Sequence, residues 1–184
     1  MKSYNKLFLL RHLKTQNNEL HIISGQSDSQ IISNDFSKVD FKRFDRIYCS
    51  PSPRCVRTLE LLGMQSIMQS TIIYDKRLLE RNMGMLEGVN KKEGISKYPE
   101  LFRKDAFNVF EAPPQGEDYE YFKERVEDFY NESLYIDDDL NILICSHNQT
   151  LRLLRLLILK KDITFSSWEE YSFINGQIVE IKKN

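Results

Sequence analysis

Two apolar runs, each four residues long and each stopping at a polar segment that carries a histidine, set the pattern of this chain. Leu7-Phe8-Leu9-Leu10 runs into Arg11-His12, and Ile142-Leu143-Ile144-Cys145 runs into Ser146-His147. Consecutive large apolar residues bounded by polar ones suit strands covered on both faces, as in a parallel sheet. Phe44-Asp45-Arg46-Ile47-Tyr48-Cys49 predicts another strand, ending at Ser50-Pro51-Ser52-Pro53-Arg54, and Thr71-Ile72-Ile73-Tyr74 a further short one. Ser52 followed by Pro53 is an N-cap and N1 pair. The helix it starts shows Cys55, Leu59 and Leu62 on one face and stops at Gly63. Asp118 caps a second helix, whose stripe of Phe122, Val126, Phe129 and Tyr130 reads as core. A third, strongly apolar helix follows His147-Asn148 to about Leu159. Tyr171 to Ile181 reads as a hairpin about Asn175-Gly176, a dipeptide suited to a type I′ turn. Strands alternating with helices imply an α/β fold with a mostly parallel sheet and an antiparallel edge.

The polar stretches between these elements are the places to look for a site. Thr15 to Ile32 predicts a long loop or short helical pieces after the first strand, where binding residues are usually carried. His21, set among Leu20, Ile22 and Ile23, is read there as structural or solvated. From Asn90 to Gln115, lysines and arginines alternate with acids, and Pro99, Pro113 and Pro114 punctuate the run. The stretch 90–116 is either a lid that recognises a substrate or a solvated charged surface.

Composition narrows the class. A chain of 184 residues with 41% hydrophobic content can bury one substantial core, so a single domain over 1–184 is expected. With 26 basic against 27 acidic residues and a net charge of −1, nothing global points to nucleic acid or an anionic membrane. The longest apolar stretch, Leu151 to Leu159, is interrupted by Arg152 and Arg155 and is too short to span a bilayer. Met1 to Lys6 leads straight into the first strand with no small-residue cleavage site behind it. Cys49, Cys55 and Cys145 are an odd, scattered set without metal spacing, which suggests reduced thiols and a cytoplasmic location. No exposed apolar stripe fixes an oligomeric state.

In open α/β sheets, ligands bind beyond the carboxyl ends of the strands. Three such ends here carry Arg11-His12, Arg54 and Ser146-His147. Arg54 also falls in the first turn of its helix, where free N–H groups and the dipole favour an anion. Two arginines and two histidines at one sheet edge make a cationic, donor-rich pocket suited to a phosphate dianion. Cys49 and Arg54 invite comparison with the Cys-x5-Arg loop of tyrosine phosphatases. The spacing is one residue short, and Pro51 and Pro53 remove backbone donors that such a loop needs.

These residues match a known pattern. The chain resembles the histidine phosphatase superfamily, which includes the phosphoglycerate mutases and many small phosphatases. The opening motif Arg-His-Gly-x-Thr-x-x-Asn stands as Arg11-His12-Leu13-Lys14-Thr15-Gln16-Asn17-Asn18, followed by Gly25-Gln26-Ser27-Asp28 for Gly-x-x-Asp. Ser50-Pro51-Ser52-Pro53-Arg54 with Thr58, Leu78-Leu79-Glu80 through Gly84 to Glu87-Gly88, Gly116-Glu117, and Ser146-His147-Asn148 through Arg152 follow in the family's order. The resemblance implies a three-layer α/β/α sandwich and a two-step phosphoryl transfer with no cofactor and no metal. His12 would be the nucleophile, with Arg11, Arg54 and His147 neutralising the phosphoryl oxygens. Glu80 would serve as acid and then base, an acid beside a bound dianion being pushed toward its neutral form. Asn18, Ser24, Gly25 and Asn148 would contact phosphate or substrate.

The family glycine after each histidine is replaced, by Leu13 and by Asn148. Ordinary backbone geometry is expected at Leu13, while Asn148 could keep a left-handed backbone, cap the next helix or touch phosphate. Lys14 stands where many relatives carry an acid and hints at a different specificity. The expected activity is a metal-independent phosphomonoesterase acting on a small phosphorylated metabolite. The alternatives are a phosphoglycerate mutase, less expected in so short a chain, and a binding module that has lost turnover.

Overall fold

The computed structural model describes residues 5–32, 44–64, 72–134 and 140–182. Its strands are Lys6–Arg11 (β1), Arg46–Cys49 (β2), Ile72–Tyr74 (β3), Phe102–Arg103 (β4), Ala106–Phe107 (β5), Asn141–Ser146 (β6) and Ile178–Ile181 (β7). Five of them form one sheet in the order β3-β2-β6-β1-β7, and β4 pairs with β5 as a separate short hairpin. All neighbours in the large sheet run parallel except β7, which is antiparallel to β1. Thr71, expected in the third strand, lies outside the described residues.

The helices are Gln16–Glu19 (α1), Pro53–Leu61 (α2), Lys91–Lys97 (α3), Tyr119–Ser133 (α4), Asn148–Ile158 (α5) and Phe165–Glu170 (α6). Strand side chains alternate between the faces of the sheet, so each apolar run serves two cores. Leu7, Leu9, Ile142 and Ile144 pack with Phe122, Val126 and Phe129 of α4 and with Leu151 and Leu154 of α5. Phe8, Leu10, Leu143 and Cys145 pack on the other face with Cys55 and Leu59 of α2. The result is helices on both sides of a mostly parallel sheet. A third, smaller cluster of Met83, Leu86 and Leu101, flanked by Ile23, Phe102 and Phe107, lies apart from both.

Register sets the site. Arg11 pairs with Ser146, and Cys49 with Cys145, so β1, β2 and β6 end level with one another. The chain continues that alignment past the strands. The His12 N–H donates to the Ser146 carbonyl at 3.0 Å, and the Ser50 N–H to the Cys145 carbonyl at 2.9 Å.

Three expectations are corrected. The C-terminal stretch is not a hairpin: only Ile178–Ile181 is a strand, and its partner is β1. The Asn175-Gly176 turn instead closes over the end of β1, with the Gly176 N–H donating to the carbonyls of Arg11 and His12 and Asn175 Nδ2 to that of His12. Ser52 occupies the N-cap position of α2 but makes no capping bond, and among the described residues its buried hydroxyl has no partner. Asn148 is the first residue of α5, behind His147 at the cap position, and does not have positive φ, so of the three options open to it the left-handed backbone and the cap are not taken. Leu13 has no positive φ either, in line with its expected ordinary geometry. Among the described residues no helix is long and apolar enough to cross a membrane.

Candidate active site

At the carboxyl ends of these strands lies a cavity of about 150 Å³, small beside the roughly 300–1,000 Å³ typical of drug-sized ligands. Arg11, His12, Asn18, Ser24, Gly25, Arg54, Glu80 and Asn148 all line it, so segments from across the chain meet at one point. His147 does not line it. That ring is buried behind Arg54, its centroid 5.3 Å from that of His12.

The backbone around His12 decides which of its nitrogens can react. Nδ1 lies 2.7 Å from the Leu13 carbonyl, which can only accept, so Nδ1 carries the proton and Nε2 keeps its lone pair. The Leu13 N–H donates in turn to Thr58 Oγ1 at 2.9 Å, and the Thr58 hydroxyl donates to the Arg54 carbonyl at 2.7 Å. The N–H and the carbonyl of Leu13 are therefore both engaged, while its leucine side chain is buried. A side chain stands in place of the motif glycine with both backbone groups bonded.

Burial, with Arg54 and Arg11 adding, holds the His12 imidazole well below its usual pKa, so it is neutral at pH 7. His147 is pushed the same way by burial and Arg54. Its Nδ1 accepts from Arg54 Nε at 3.1 Å, which places the proton on Nε2, 2.9 Å from Ser50 Oγ. Both groups have folded pKa values below the unfolded value near 6.5, so their contribution to stability is complete above that pH and declines as pH falls. Below about pH 6.5 and above the folded pKa values the decline approaches about 1.4 kcal/mol per pH unit for each histidine. Urea unfolding at pH 7.5 and 5.5 is expected to show this loss, and His147→Gln to reduce it. An equal loss in the variant would mean that His147 is not buried neutral.

The two arginines are held differently. Arg54 donates through Nη1 to the Ser27 carbonyl and through Nη2 to the Gly25 carbonyl, each at 2.7 Å. Those carbonyls belong to a loop pinned by Glu87, whose Oε1 accepts from the N–H groups of Gln26 and Met83 and whose Oε2 accepts from that of Ser27. Gly25 has φ +50°, and a Cβ there would sit 2.2 Å from Glu87 Oε1, so the loop needs glycine for both conformation and space. Among the described residues Arg11 makes one hydrogen bond, from Nη1 to the Phe173 carbonyl at 2.7 Å, and its buried Nε has no partner. Burial lowers its pKa to about 10, still charged at neutral pH. A buried guanidinium with open donors beside a cavity is built to meet an anion.

Glu80 is anchored by α5. Its Oε2 accepts from the Gln149 N–H, and its Oε1 from the Thr150 N–H and hydroxyl and from the Arg81 N–H. Its main chain is held from behind by Arg125 of α4, which donates to the carbonyls of Arg77, Leu79 and Glu80 and pairs bidentately with Glu117. The sequence offered no sign of Arg125, because its targets are backbone carbonyls that any residue type supplies. Arg81 is a second buried support, donating to the carbonyls of Glu117, Val109 and Glu111.

The amides are oriented too. Asn18 Oδ1 accepts from the Thr15 N–H and from Asn175 Nδ2, leaving its own Nδ2 to the cavity. Asn148 Oδ1 accepts from the Phe173 N–H at 3.1 Å, with the same consequence. His21 is exposed at φ +54°, and Lys14 pairs with Glu19 at the surface, so neither lines this cavity. All three cysteines are free and buried, and Cys55 Sγ packs 3.5 Å from His147 Nε2. Among the described residues, no three His, Cys, Asp or Glu side chains converge as a metal ion would require.

The fold agrees with comparison to known proteins. Residues 7–183 match the histidine phosphatase superfamily (branch 1), and the chain belongs to that superfamily. A 2,3-bisphosphoglycerate-dependent phosphoglycerate mutase of Cytophaga hutchinsonii is 29% identical, over 82% of this chain and 75% of its own. A putative phosphoserine phosphatase 2 of Hydrogenobacter thermophilus is 28% identical, over 83% and 78%. The crystal structure of the alpha-ribazole phosphatase from Shigella flexneri superimposes with a TM-score of 0.79 at 24% identity, over 97% and 91% of the two chains. The relatives thus include phosphatases and mutases, and the fold is that of the phosphoglycerate mutase-like enzymes.

Proposed function

We propose that this protein is a metal-independent phosphomonoesterase that works through a phosphohistidine on Nε2 of His12. The observation that carries the reading is the 2.7 Å contact of His12 Nδ1 with the Leu13 carbonyl, in a cavity that also holds Arg11, Arg54 and Glu80. In the first step the Nε2 lone pair forms the N–P bond as the P–O bond to the alcohol breaks, and Glu80 gives its proton to the leaving oxygen. The Leu13 carbonyl meets the positive charge that develops on the ring, while Arg11 and Arg54 stabilise the equatorial oxygens. In the second step water attacks phosphorus, its proton passes to Glu80, and the N–P electron pair returns to Nε2.

Asn18 and Asn148 offer amide N–H donors to the phosphoryl oxygens or to the alcohol, and Ser24 and Gly25 shape the rim. The geometry supports His147 as a group that orients Arg54 from behind rather than one that touches phosphate in the free protein. Residues 1–184 act as a single domain in this reading, with a small phosphorylated substrate as the partner.

The test is hydrolysis of p-nitrophenyl phosphate in the presence of EDTA. Turnover insensitive to the chelator is expected, and turnover that disappears with EDTA and returns with a divalent ion would end the reading. The mutase relative motivates a second measurement, exchange of phosphate between phosphoglycerates. Net release of phosphate is expected to outpace exchange.

A further inference from the structure

The chemistry above leaves part of the cavity unused. Ile22, Ile23 and Met83 line it alongside the charged groups. They form a supported apolar surface. Ile22 bridges to Asn90, and Ile23 exchanges backbone bonds with Val89 and Gly88 at 2.9 and 2.8 Å, which holds the 22–23 segment against residues 88–90. Met83 is buried and packs with Leu86 and Leu101 in the third apolar cluster, where Ile23, Phe102 and Phe107 complete the packing. His21 goes elsewhere: with Lys91 and Lys92 it lines a separate cavity of about 530 Å³.

A leaving group must lie against this surface when its phosphoryl group meets Arg11 and Arg54. A carboxylate or second phosphate laid on these three side chains would give up water for carbon there, with only neutral amides of Asn18, Asn148 and Gln149 nearby, and it would share the cavity with the Glu80 carboxyl group. Carbon placed there gains from the same contact. We propose, on the phosphatase reading given above, that the substrate is a phosphate monoester of an uncharged alcohol whose carbon chain packs on Ile22, Ile23 and Met83. Segment 84–107 is then the scaffold of the specificity surface.

The experiment compares kcat/KM for butyl phosphate, glycerol 3-phosphate and 3-phosphoglycerate, the last two differing by a hydroxymethyl group against a carboxylate. Glycerol 3-phosphate is expected to exceed 3-phosphoglycerate by at least about tenfold, with butyl phosphate at or above it. Ile22→Lys is expected to raise 3-phosphoglycerate relative to butyl phosphate by a similar factor. A preference for 3-phosphoglycerate in the wild type overturns the proposal. Absence of turnover with p-nitrophenyl phosphate as well would overturn the phosphatase reading instead. Calorimetric titration of butyl phosphate and 3-phosphoglycerate then decides the present inference alone, tighter butyl phosphate sustaining it and tighter 3-phosphoglycerate ending it.

Discussion

Alanine at His12 is expected to lower p-nitrophenyl phosphate turnover by roughly 10⁴-fold or more, the order lost when a covalent nucleophile is removed. No neighbour can take over. His147, the other ring at this end of the sheet, does not line the cavity, and both its nitrogens are engaged, by Arg54 and by Ser50. The loss should come without unfolding, because the ring makes one hydrogen bond, to a carbonyl that the variant leaves open to the vacated space. Cooperative urea unfolding of the variant checks that point. Quenching the wild type in alkali during turnover should retain a phosphoryl group on a histidine, since phosphoramidates survive base and not acid. His12→Ala should retain none. Residual activity within tenfold of wild type would remove His12 from the chemistry.

Glu80→Gln is expected to slow an alkyl phosphate by about 10²–10⁴-fold, the range for loss of a general acid. The effect on p-nitrophenyl phosphate should be much smaller, because that leaving group departs without a proton. A structural cost accompanies the change. Four donors converge on the Glu80 carboxylate, two of them the first-turn amides of Gln149 and Thr150 in α5, and a glutamine NH2 would face at least one of them. An unmet amide of this kind costs about 1–3 kcal/mol. The readout is therefore the ratio of the two substrates and not either rate alone. An unchanged ratio, with the variant folded, would assign Glu80 to holding the start of α5 instead.

The alkyl and aryl comparison also bears on the apolar surface of Ile22, Ile23 and Met83. If those side chains grip the alcohol, KM for butyl phosphate should be little changed by Glu80→Gln, while kcat carries the loss. The two functions, gripping the alcohol and protonating it, are supplied by different parts of the chain and should separate in kinetics.

Much of the fold was legible in the sequence because its signals are local. Leu7–Leu10 and Ile142–Cys145 could be read as doubly covered strands from their apolar runs, and α4 from Asp118 and its stripe, since burial and capping act over a few residues. The C-terminal stretch was misread for the same reason. Asn175-Gly176 carries the local signature of a hairpin, yet the chain on either side found a better partner in the open edge and end of β1. Short α6 was not anticipated. Its cap at Thr164 depends on a reciprocal pairing with Ser167 rather than on a long apolar period.

By itself the sequence determined the apolar strands β1, β2, β3 and β6 with helices α2, α4 and α5, the membership in the superfamily, and the residue types that gather at the strand ends. Tertiary structure alone decided the states and directions of those groups. The His12 proton sits on Nδ1 because the Leu13 carbonyl is there to receive it, and the N–H of the same residue is held by Thr58, 45 residues along the chain. His147 turns its acceptor nitrogen to Arg54 rather than to the cavity, and Glu80 stands where Arg125 and the start of α5 hold it. Hydrogen bonds to backbone atoms leave no trace in residue identity, and contacts between segments far apart in the chain have no period to read.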